Sequence, residues 1–334
     1  MRCCAPPATR LAEWLFEEGI GENRAVLVEG REIIEAAIEL PTALRAGAVV
    51  PARLTRILVP GRRGIAMLDS GEEALLEPLP AGLTEGAGLH AEIVREAIPE
   101  PGRPKLAKAR ATDAEPRTGP TLNERLGVAT VHTRHGPDRF EEAGWSELLE
   151  QAATGEIAFG GGALRMSLTP AMTLFDVDGA LPPAGLAIAG AAAAGRAIRR
   201  FGLGGSIGID LPTLPARAER QAAAAALDAV LPAPFERTAV NGFGFLQLVR
   251  RRERPSIPEI VRGDPVGAGA RALLRRAQRL AGPLTIAAVP AVIATLEAHP
   301  DWLDTLRRHA GGDVALQAEP ALSISTGHVQ SRLS

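Results

Sequence analysis

Two short apolar segments, each ending in an aspartate, flank one long helical segment in the second half of the chain. Residues 174–177 predict a strand, residues 186–201 predict a helix that ends at Gly202, and residues 206–210 predict a second, buried strand. A strand, a crossover helix and a second strand are typical of a parallel pair within one sheet. The sequence therefore predicts an α/β layer.

The first third of the chain has a different pattern, in which short β-prone segments alternate with Gly, Pro and charged residues. The predicted strands are residues 25–28, 32–40, 49–59, 64–68, 74–76 and 89–94. Closely spaced strands of this kind favour a small barrel, although any compact β-domain would show the same pattern. Residues 99–124 contain five prolines and predict a linker, apart from a strand end at 106–109.

Further elements are predicted around the α/β layer. Strands are predicted at residues 128–132, 156–159, 163–168, 284–289 and 314–317, and helices at 145–153, 215–231, 271–281, 290–299 and 301–309. Residues 238–249 are predicted to be mostly extended. The segment 254–268 is rich in Pro and Gly, so it predicts a second linker before a small terminal α/β unit.

Composition limits both the core and the partners. Aromatic residues make up 3% of the chain and Tyr is absent, so the core must be built largely from Ala, Leu, Val and Ile. The formal net charge is −2, and Lys105 and Lys108 are the only lysines, which counts against a protein that only coats RNA. A nucleic-acid role would depend instead on local Arg clusters and on a metal ion.

Three features of the sequence bear on localisation. Cys3 and Cys4 are the only cysteines, and by themselves they cannot form a disulfide framework or a four-ligand zinc site. No uninterrupted apolar segment reaches the roughly 18 residues of a membrane span, and glutamates interrupt the N-terminal segment where a signal peptide would lie. We expect a cytoplasmic protein without a membrane partner, with a frayed tail at residues 1–10.

Two aspartates mark the carboxyl ends of the predicted parallel strands. Because parallel strands deliver these ends to one edge of a sheet, we expect Asp176 and Asp210 to stand close together. Two such carboxylates repel each other unless one is protonated or a cation lies between them, and Mg²⁺ prefers one or two carboxylates plus water and phosphate oxygens. Asp178 is expected on the opposite face of its strand, unless the chain has already turned at Gly179. The alternative is that these aspartates are helix N-caps or salt-bridge partners, because Asp is common in both roles.

Two other motifs carry less information. Residues 160–162 are consecutive glycines that no Lys-Ser/Thr helix follows, so they predict a hairpin turn and not a phosphate-binding loop. His132 and His135 have no acidic partner at a recognisable spacing, so a surface loop is predicted there.

Three sequence blocks, taken in order, resemble the catalytic region of the ribonuclease E/G family. They are residues 162–178, GALRMSLTPAMTLFDVD, residues 199–210, RRFGLGGSIGID, and residues 241–252, NGFGFLQLVRRR. The family pattern has an apolar strand, Thr-Glu-Ala and Asp-apolar-Asn in the first block. The second block has Gly-Gly, an apolar strand and Asp, and the third has a Phe-Gly segment that ends in arginines. The order and spacing of the blocks make the match specific.

The resemblance covers most of the chain and implies a multidomain α+β and α/β fold. It implies an S1-like (OB) β-barrel, a ribonuclease-H-like subdomain, a deoxyribonuclease-I-like catalytic subdomain and a small C-terminal α/β domain. The implied ribonuclease-H-like subdomain consists of residues 11–40, as its first strands, and residues 128–170. The other implied boundaries are 41–110 for the barrel, 171–253 for the catalytic subdomain, 270–334 for the C-terminal domain, and 111–127 and 254–269 for linkers.

The resemblance also implies an activity, the Mg²⁺-dependent endonucleolytic cleavage of single-stranded RNA in RNA processing or decay. Asp176 and Asp210 fall on the family's metal-binding aspartates, where Mn²⁺ could replace Mg²⁺. Asp178 falls on an asparagine that supports the metal-bound water or the substrate. The metal would polarise the scissile phosphate, and cleavage would leave a 5′-phosphate on the downstream product. The residues predicted to contact RNA are Arg53, Arg56, Arg62 and Arg63 in the barrel and Arg237, Arg250 and Arg252 in the catalytic subdomain.

Four departures from the family pattern change what the resemblance implies. Asp178 replaces the asparagine, and the insertion that senses a 5′-phosphate is missing, so indifference to that phosphate is expected. No Cys-x-x-Cys zinc link occurs between Arg252 and Arg271, so there is no structural zinc and a homodimer through the C-terminal region would not be zinc-bridged. The barrel also lacks the family's RNA-stacking aromatics. Two other functions therefore stay open, an RNA-binding protein on the same scaffold with little or no turnover and a phosphodiesterase acting on another nucleotide.

Overall fold

The computed structural model describes residues 12–41, 44–100, 104–127 and 136–332. Within these residues the chain is a mixed α/β protein with a closed five-stranded barrel, a six-stranded sheet and two three-stranded sheets. No helix among them has both the length and the apolar character needed to cross a bilayer. The N-terminal tail with its cysteines, the strand predicted at 128–132 and the two histidines of the predicted loop lie outside the described residues.

An open sheet and a barrel form the N-terminal part of the described chain. The open sheet is the antiparallel meander of β1 (Glu13–Glu18), β2 (Asn23–Glu29) and β3 (Glu32–Glu39). The barrel consists of β4 (Val49–Val59), β5 (Arg63–Leu68), β6 (Glu73–Leu76), β7 (Gly88–Arg95) and β8 (Ala107–Thr112), closed in the order β4-β5-β6-β8-β7. The predicted small barrel is confirmed. Strand β1 lies within residues 11–40, which the resemblance implies are strands, although the local pattern predicts no strand at residues 13–18. Strand β8 extends beyond the strand end predicted within the first linker.

The meander packs on the α/β layer. Its buried side chains Leu15, Val26 and Ile38 belong to the same hydrophobic core as the large sheet and its helices. The barrel has a separate core, built around residues such as Leu54 and Leu76. The meander is therefore a layer of the central unit, and the barrel is inserted after it in the sequence.

The central unit is built on the six-stranded sheet. Among the described residues, three helices precede it, α1 (Leu122–Leu126), α2 (Arg139–Glu142) and α3 (Trp145–Thr154). Its strands are β9 (Glu156–Phe159), β10 (Gly162–Leu168), β11 (Thr173–Gly179), β12 (Gly205–Asp210), β13 (Glu236–Arg237) and β14 (Phe245–Arg250), in the order β13-β14-β12-β11-β10-β9. Helices α4 (Pro183–Arg200) and α5 (Arg217–Asp228) follow β11 and β12. The predicted parallel pair, β11 and β12 joined by α4, is confirmed.

Helices cover one face of the large sheet and leave the other face exposed. Phe175 and Val177 of β11 and Ile207 and Ile209 of β12 are buried on the covered face. Helix α4 approaches β11 closely there, since a Cβ at Gly190 would lie 2.4 Å from Val177. The alternate side chains of the same strands point away from the helices, so the sheet presents a second face on which a site can form.

Two of the predicted domain boundaries lie within continuous regular structure. Strand β10 pairs with β11, so the boundary predicted between residues 170 and 171 runs through one continuous sheet. The segment 111–127, predicted as a linker, contains the end of β8 and the helix α1. That helix begins with a capping box between Thr121 and Glu124, which the prolines nearby obscure in the sequence.

The second predicted linker, residues 254–269, is wrong because the segment is helical. It contains α6 (Ile257–Gly263) and the start of α7 (Pro265–Ala277). Pro258 and Pro265 stand in the first turns of these helices, where a missing N–H costs nothing. Ser256 and Glu259 form a buried capping box that starts α6. The prolines therefore mark helix starts.

The C-terminal part is a small α/β unit, as predicted. It contains β15 (Leu284–Ala288), α8 (Pro290–Glu297), α9 (Pro300–Ala310), β16 (Val314–Ala318) and β17 (His328–Ser331), with the sheet in the order β16-β15-β17. The unit is docked on the turn between β1 and β2. Ile20 of that turn is buried in its core, and the Glu22 carboxylate lies between Arg271 and Arg275 in a buried ion pair network.

Candidate metal and nucleic-acid site

Asp176 and Asp210 stand side by side at the carboxyl ends of the parallel strands. They are register partners in the β11–β12 pair, and strands lie about 4.8 Å apart in a sheet. Both side chains are exposed. Within the described residues neither aspartate has an ion pair or a side-chain hydrogen bond, and neither caps a helix. The expected proximity of the two carboxylates is therefore confirmed.

Asp178 lies on the same face of β11 as Asp176, so the expectation of opposite faces is wrong. Side chains two residues apart in a strand point to the same side, and β11 stays paired with β10 as far as Gly179. The burial pattern follows this rule, because Phe175 and Val177 are buried whereas Asp176 and Asp178 are exposed. Asp178 thus adds a third carboxylate to the exposed face.

The two aspartates belong to a row of residues that crosses the exposed face, with one residue on each of five neighbouring strands. The row consists of Glu156 on β9, Arg165 on β10, Asp176 on β11, Asp210 on β12 and Phe245 on β14, each the register partner of the next. We name it the acid row. Arg165 forms ion pairs with Glu156 at 3.7 Å and with Asp178 at 3.4 Å. The uncompensated carboxylates of the row are therefore those of Asp176 and Asp210.

Two apolar side chains cover the sheet beside the aspartates. A Cβ at Gly208 would lie 2.6 Å from Phe245 Cζ and 2.8 Å from Leu174 Cδ2, so only a glycine lets both side chains lie against the strand. Gly208 shares the exposed face with Asp210, which is two residues further along β12. The aspartates therefore border an apolar floor, where an electrostatic interaction is stronger than in open water.

This donor set suits a hard divalent cation that takes few protein ligands. Mg²⁺ is commonly bound by one or two carboxylates, with water and substrate phosphates as its other ligands. Asp176 and Asp210 could hold Mg²⁺ or Mn²⁺ in this way. No group of three or more His, Cys, Asp or Glu side chains arranged to hold a metal ion occurs in the part of the chain that the structure describes.

Arg237, predicted to contact RNA, is directed away from the acid row. It is the register partner of Leu248, whose side chain is buried under the helices. The Arg237 Nε donates to Asp228 Oδ1 at 2.7 Å, and the side-chain hydrogen bonds of this pair lower the pKa of Asp228. Arg237 therefore connects β13 to α5 and does not line the exposed face.

Arg250 and Arg252 lie at the other end of the sheet. Arg250 is five residues from the β14 member of the acid row, about 17 Å along the strand. Its Nη1 donates to the Leu203 carbonyl at 3.3 Å, and burial lowers its pKa. Arg252 forms an ion pair with Glu259 of α6. Neither arginine joins the acid row.

The four predicted RNA-contacting arginines of the barrel lie on the β4–β5 hairpin, and all are exposed. Arg53 donates to a backbone carbonyl of the loop before β7 at 2.6 Å, and Arg63 donates to Glu77 at 2.8 Å. Arg56 and Arg62 have no side-chain partner within the described residues. The hairpin therefore presents two cations that are free to meet a phosphate backbone.

Two cavities open at the amino edge of the large sheet, away from the acid row. One of about 280 Å³ is lined by residues that include Thr173, Ser206 and Arg262, and one of about 310 Å³ by residues that include Arg199 and Arg250. The acid row itself lies on an open sheet surface. Such a surface admits a polymer more readily than it encloses a small molecule, because small-molecule sites are concave.

Sequence reasoning missed Arg165 and Phe245 as members of the site. A signal for Arg165 was present, because a four-residue turn joins β10 to β11 between Leu168 and Thr173. Counting back from that turn puts Arg165 opposite Asp176. No comparable signal exists for Phe245, whose register depends on the long connection between β12 and β14.

Fold and site together define a mixed α/β protein with a five-stranded barrel and an acidic row on an exposed sheet face. Compared with models of known protein families and with curated protein sequences, the chain shows no match to either. The resemblance to the ribonuclease E/G family therefore depends on the three sequence blocks, and the acid row is the structural feature that bears on function.

Proposed function

We propose that this protein is a metal-dependent endoribonuclease that cleaves single-stranded RNA in RNA processing or decay, without sensing the 5′-phosphate. The observation that carries the proposal is the pair of uncompensated aspartates, Asp176 and Asp210, which are register partners on an exposed sheet face. Two such carboxylates favour a cation between them, and a cation held by two carboxylates keeps positions for phosphate oxygens.

The residues around the pair have separate tasks in this proposal. When bound, Mg²⁺ would offset the negative charge of the phosphate and polarise it for attack by water. Asp176 and Asp210 hold the ion in place. Arg165 fixes the Asp178 and Glu156 carboxylates, so that these two side chains do not close the face to an incoming phosphate. The apolar floor limits access of bulk water from the side of β14.

We also propose a domain type for each part of the fold. The closed five-stranded barrel, with Arg56 and Arg62 exposed on one hairpin, supports an S1-like domain that contacts the RNA backbone. The parallel pair that ends in aspartates supports a deoxyribonuclease-I-like catalytic part, and the meander with β9 and β10 would supply the ribonuclease-H-like part. Binding of a single strand along the open sheet face is consistent with a polymer substrate.

A cleavage assay tests the proposed function. The full chain is incubated with an end-labelled single-stranded RNA in Mg²⁺, in Mn²⁺ and in EDTA, and products are resolved by gel electrophoresis. Cleavage is expected with either metal and not with EDTA. Asp176→Asn and Asp210→Asn are expected to lower the rate by at least about 100-fold, because several kcal/mol of transition-state stabilisation depends on the ion.

The matched control is Asp301→Asn, an exposed aspartate in the first turn of α9. It removes the same charge far from the acid row in sequence and should leave the rate within about twofold, as is usual for surface substitutions. Circular dichroism of each variant shows that the fold is retained. Equal rates for Asp210→Asn and the wild type would contradict the proposal.

One observation favours the alternative of RNA binding without turnover. Asp178 stands where the resembling family has an asparagine that supports the metal-bound water or the substrate, and its carboxylate is instead paired with Arg165. The same assay separates the two functions. An RNA that binds the chain but yields no metal-dependent product would support the alternative.

A further inference from the structure

A single Phe or Trp ring of this chain is largely exposed to solvent. The chain has eight Phe and three Trp, all within the described residues, and Phe243 is 83% exposed whereas the others are buried or half-buried. The described residues of the barrel contain no aromatic residue at all. The ring that is available to stack on a base therefore lies beside the large sheet and not on the barrel.

The turn that carries Phe243 is held in one conformation. The Asn241 Oδ1 accepts hydrogen bonds from the Phe243 N–H at 2.9 Å and from the Phe245 N–H at 3.0 Å. Gly244 has φ +93°, and a Cβ there would lie 2.2 Å from the Leu211 carbonyl oxygen, so only glycine lets the turn pack this tightly. A ring presented on a fixed backbone loses little conformational freedom when it binds a partner.

The same turn lies next to the acid row. The Leu211 N–H, directly after Asp210, donates to the Gly244 carbonyl at 3.2 Å. Phe243 is two residues before Phe245, the register partner of Asp210, which corresponds to about 7 Å along the chain. The residues that precede Phe243 in the turn, Asn241 and Gly242, carry no large apolar side chain, so the exposed ring follows a polar segment and lies near the apolar floor. An exposed ring beside two carboxylates that could hold a cation suits a planar heterocycle attached to a phosphate that binds the same cation.

We propose that Phe243 is a stacking platform for one unpaired base of the RNA whose phosphate lies at the acid row. This inference rests on the proposed function for the RNA ligand and for the position of its phosphate, but it does not require that the RNA is cleaved. Every base has a π-face, so the contact tolerates any sequence, and a base that is stacked within a duplex is not available to it. The platform therefore selects single strands and fixes the strand beside Asp176 and Asp210.

Fluorescence anisotropy with the full chain tests the proposal. The probes are a labelled 12-nucleotide single-stranded RNA and a strand of the same length that lacks its bases, both in Mg²⁺ on ice, with strand integrity checked by gel electrophoresis. Phe243→Ser is expected to weaken binding of the RNA by about 5- to 100-fold, the range that one aromatic stack provides. Binding of the strand without bases should not change. Phe243→Trp should retain RNA binding, and added RNA should quench its emission beyond any effect on the wild type.

The matched control is Val249→Ser, which removes another exposed apolar side chain, on the strand β14 that follows the turn and at the end far from the acid row. It should bind RNA as the wild type does. Equal RNA affinity of Phe243→Ser and the wild type would overturn the proposal and assign the ring to a protein contact, and an equal loss on both probes would overturn it as well. If no RNA is cleaved under any condition while the Phe243 dependence holds, the nuclease function fails and the stacking platform stands.

Discussion

The close approach of α4 to β11 positions Asp176, and one glycine makes this approach feasible. A Cβ at Gly190 would lie 2.4 Å from Val177, whereas a Cβ at Gly185 of the same helix would meet nothing within 4 Å. Replacing Gly by Ala in a helix raises the free energy of unfolding by up to about 1 kcal/mol. Overpacking a well-packed contact lowers the free energy of unfolding by about 1–3 kcal/mol. Gly190→Ala is therefore expected to lose up to about 2 kcal/mol of stability, and Gly185→Ala to gain up to about 1 kcal/mol.

Urea denaturation of the wild type and the two variants measures the difference. The urea concentration at the midpoint of unfolding should fall for Gly190→Ala and rise slightly for Gly185→Ala. The slope of the free energy of unfolding against urea concentration should be the same in all three proteins. The RNA cleavage rate should fall only for Gly190→Ala, because the displaced helix pushes on the strand that carries Asp176. If both variants are stabilised equally, α4 and β11 are not in the tight contact on which this reasoning depends.

Three further outcomes are expected. Hydrogen bonds from Lys108 and Arg63 lower the pKa of Glu77 from 4.5 to about 2. This carboxylate therefore stabilises the barrel above about pH 4.5, and the stabilisation is lost as the pH falls toward 2. Between these pH values the melting temperature should fall less steeply for Glu77→Gln than for the wild type. Ser256→Ala removes a buried capping box and should cost about 1 kcal/mol in urea denaturation, whereas no change would show that α6 needs no cap. Asp178→Asn should keep RNA cleavage within a few-fold of the wild type, because the uncompensated pair is intact, and a loss as large as that of Asp210→Asn would assign Asp178 to the metal.

Much of the central fold follows from local sequence pattern. Strand, helix and strand between residues 173 and 210 are found as predicted, and the parallel pairing follows because the connecting helix is long enough to cross the sheet. The carboxyl ends of parallel strands meet at one edge, so the proximity of Asp176 and Asp210 could also be predicted. These features depend on a few neighbouring elements and on no distant part of the chain.

Other features depend on tertiary context. The register that brings Phe245 beside Asp210 is set by a connection of more than thirty residues, and the sequence contains no local rule for it. The helix α6 could not be predicted from the local sequence because proline is common both in linkers and in the first turns of helices. Only the burial of Ile257 and Ile260 in the core of the central unit identifies the segment of Pro258 as a helix. Asp178 shares a face with Asp176 because residues two apart in a strand point to the same side, and β11 remains a paired strand as far as Gly179.

Divalent metal binding is the most direct test of the account. Isothermal titration calorimetry of the full chain with MnCl₂ or MgCl₂ needs no RNA and no turnover. One ion per chain is expected for the wild type and for Asp301→Asn, with binding strongly weakened in Asp176→Asn and in Asp210→Asn, because each removes half of the carboxylate pair. Binding that is equal in all four proteins, or absent from the wild type at millimolar metal, would contradict the claim that these two aspartates form a cation site.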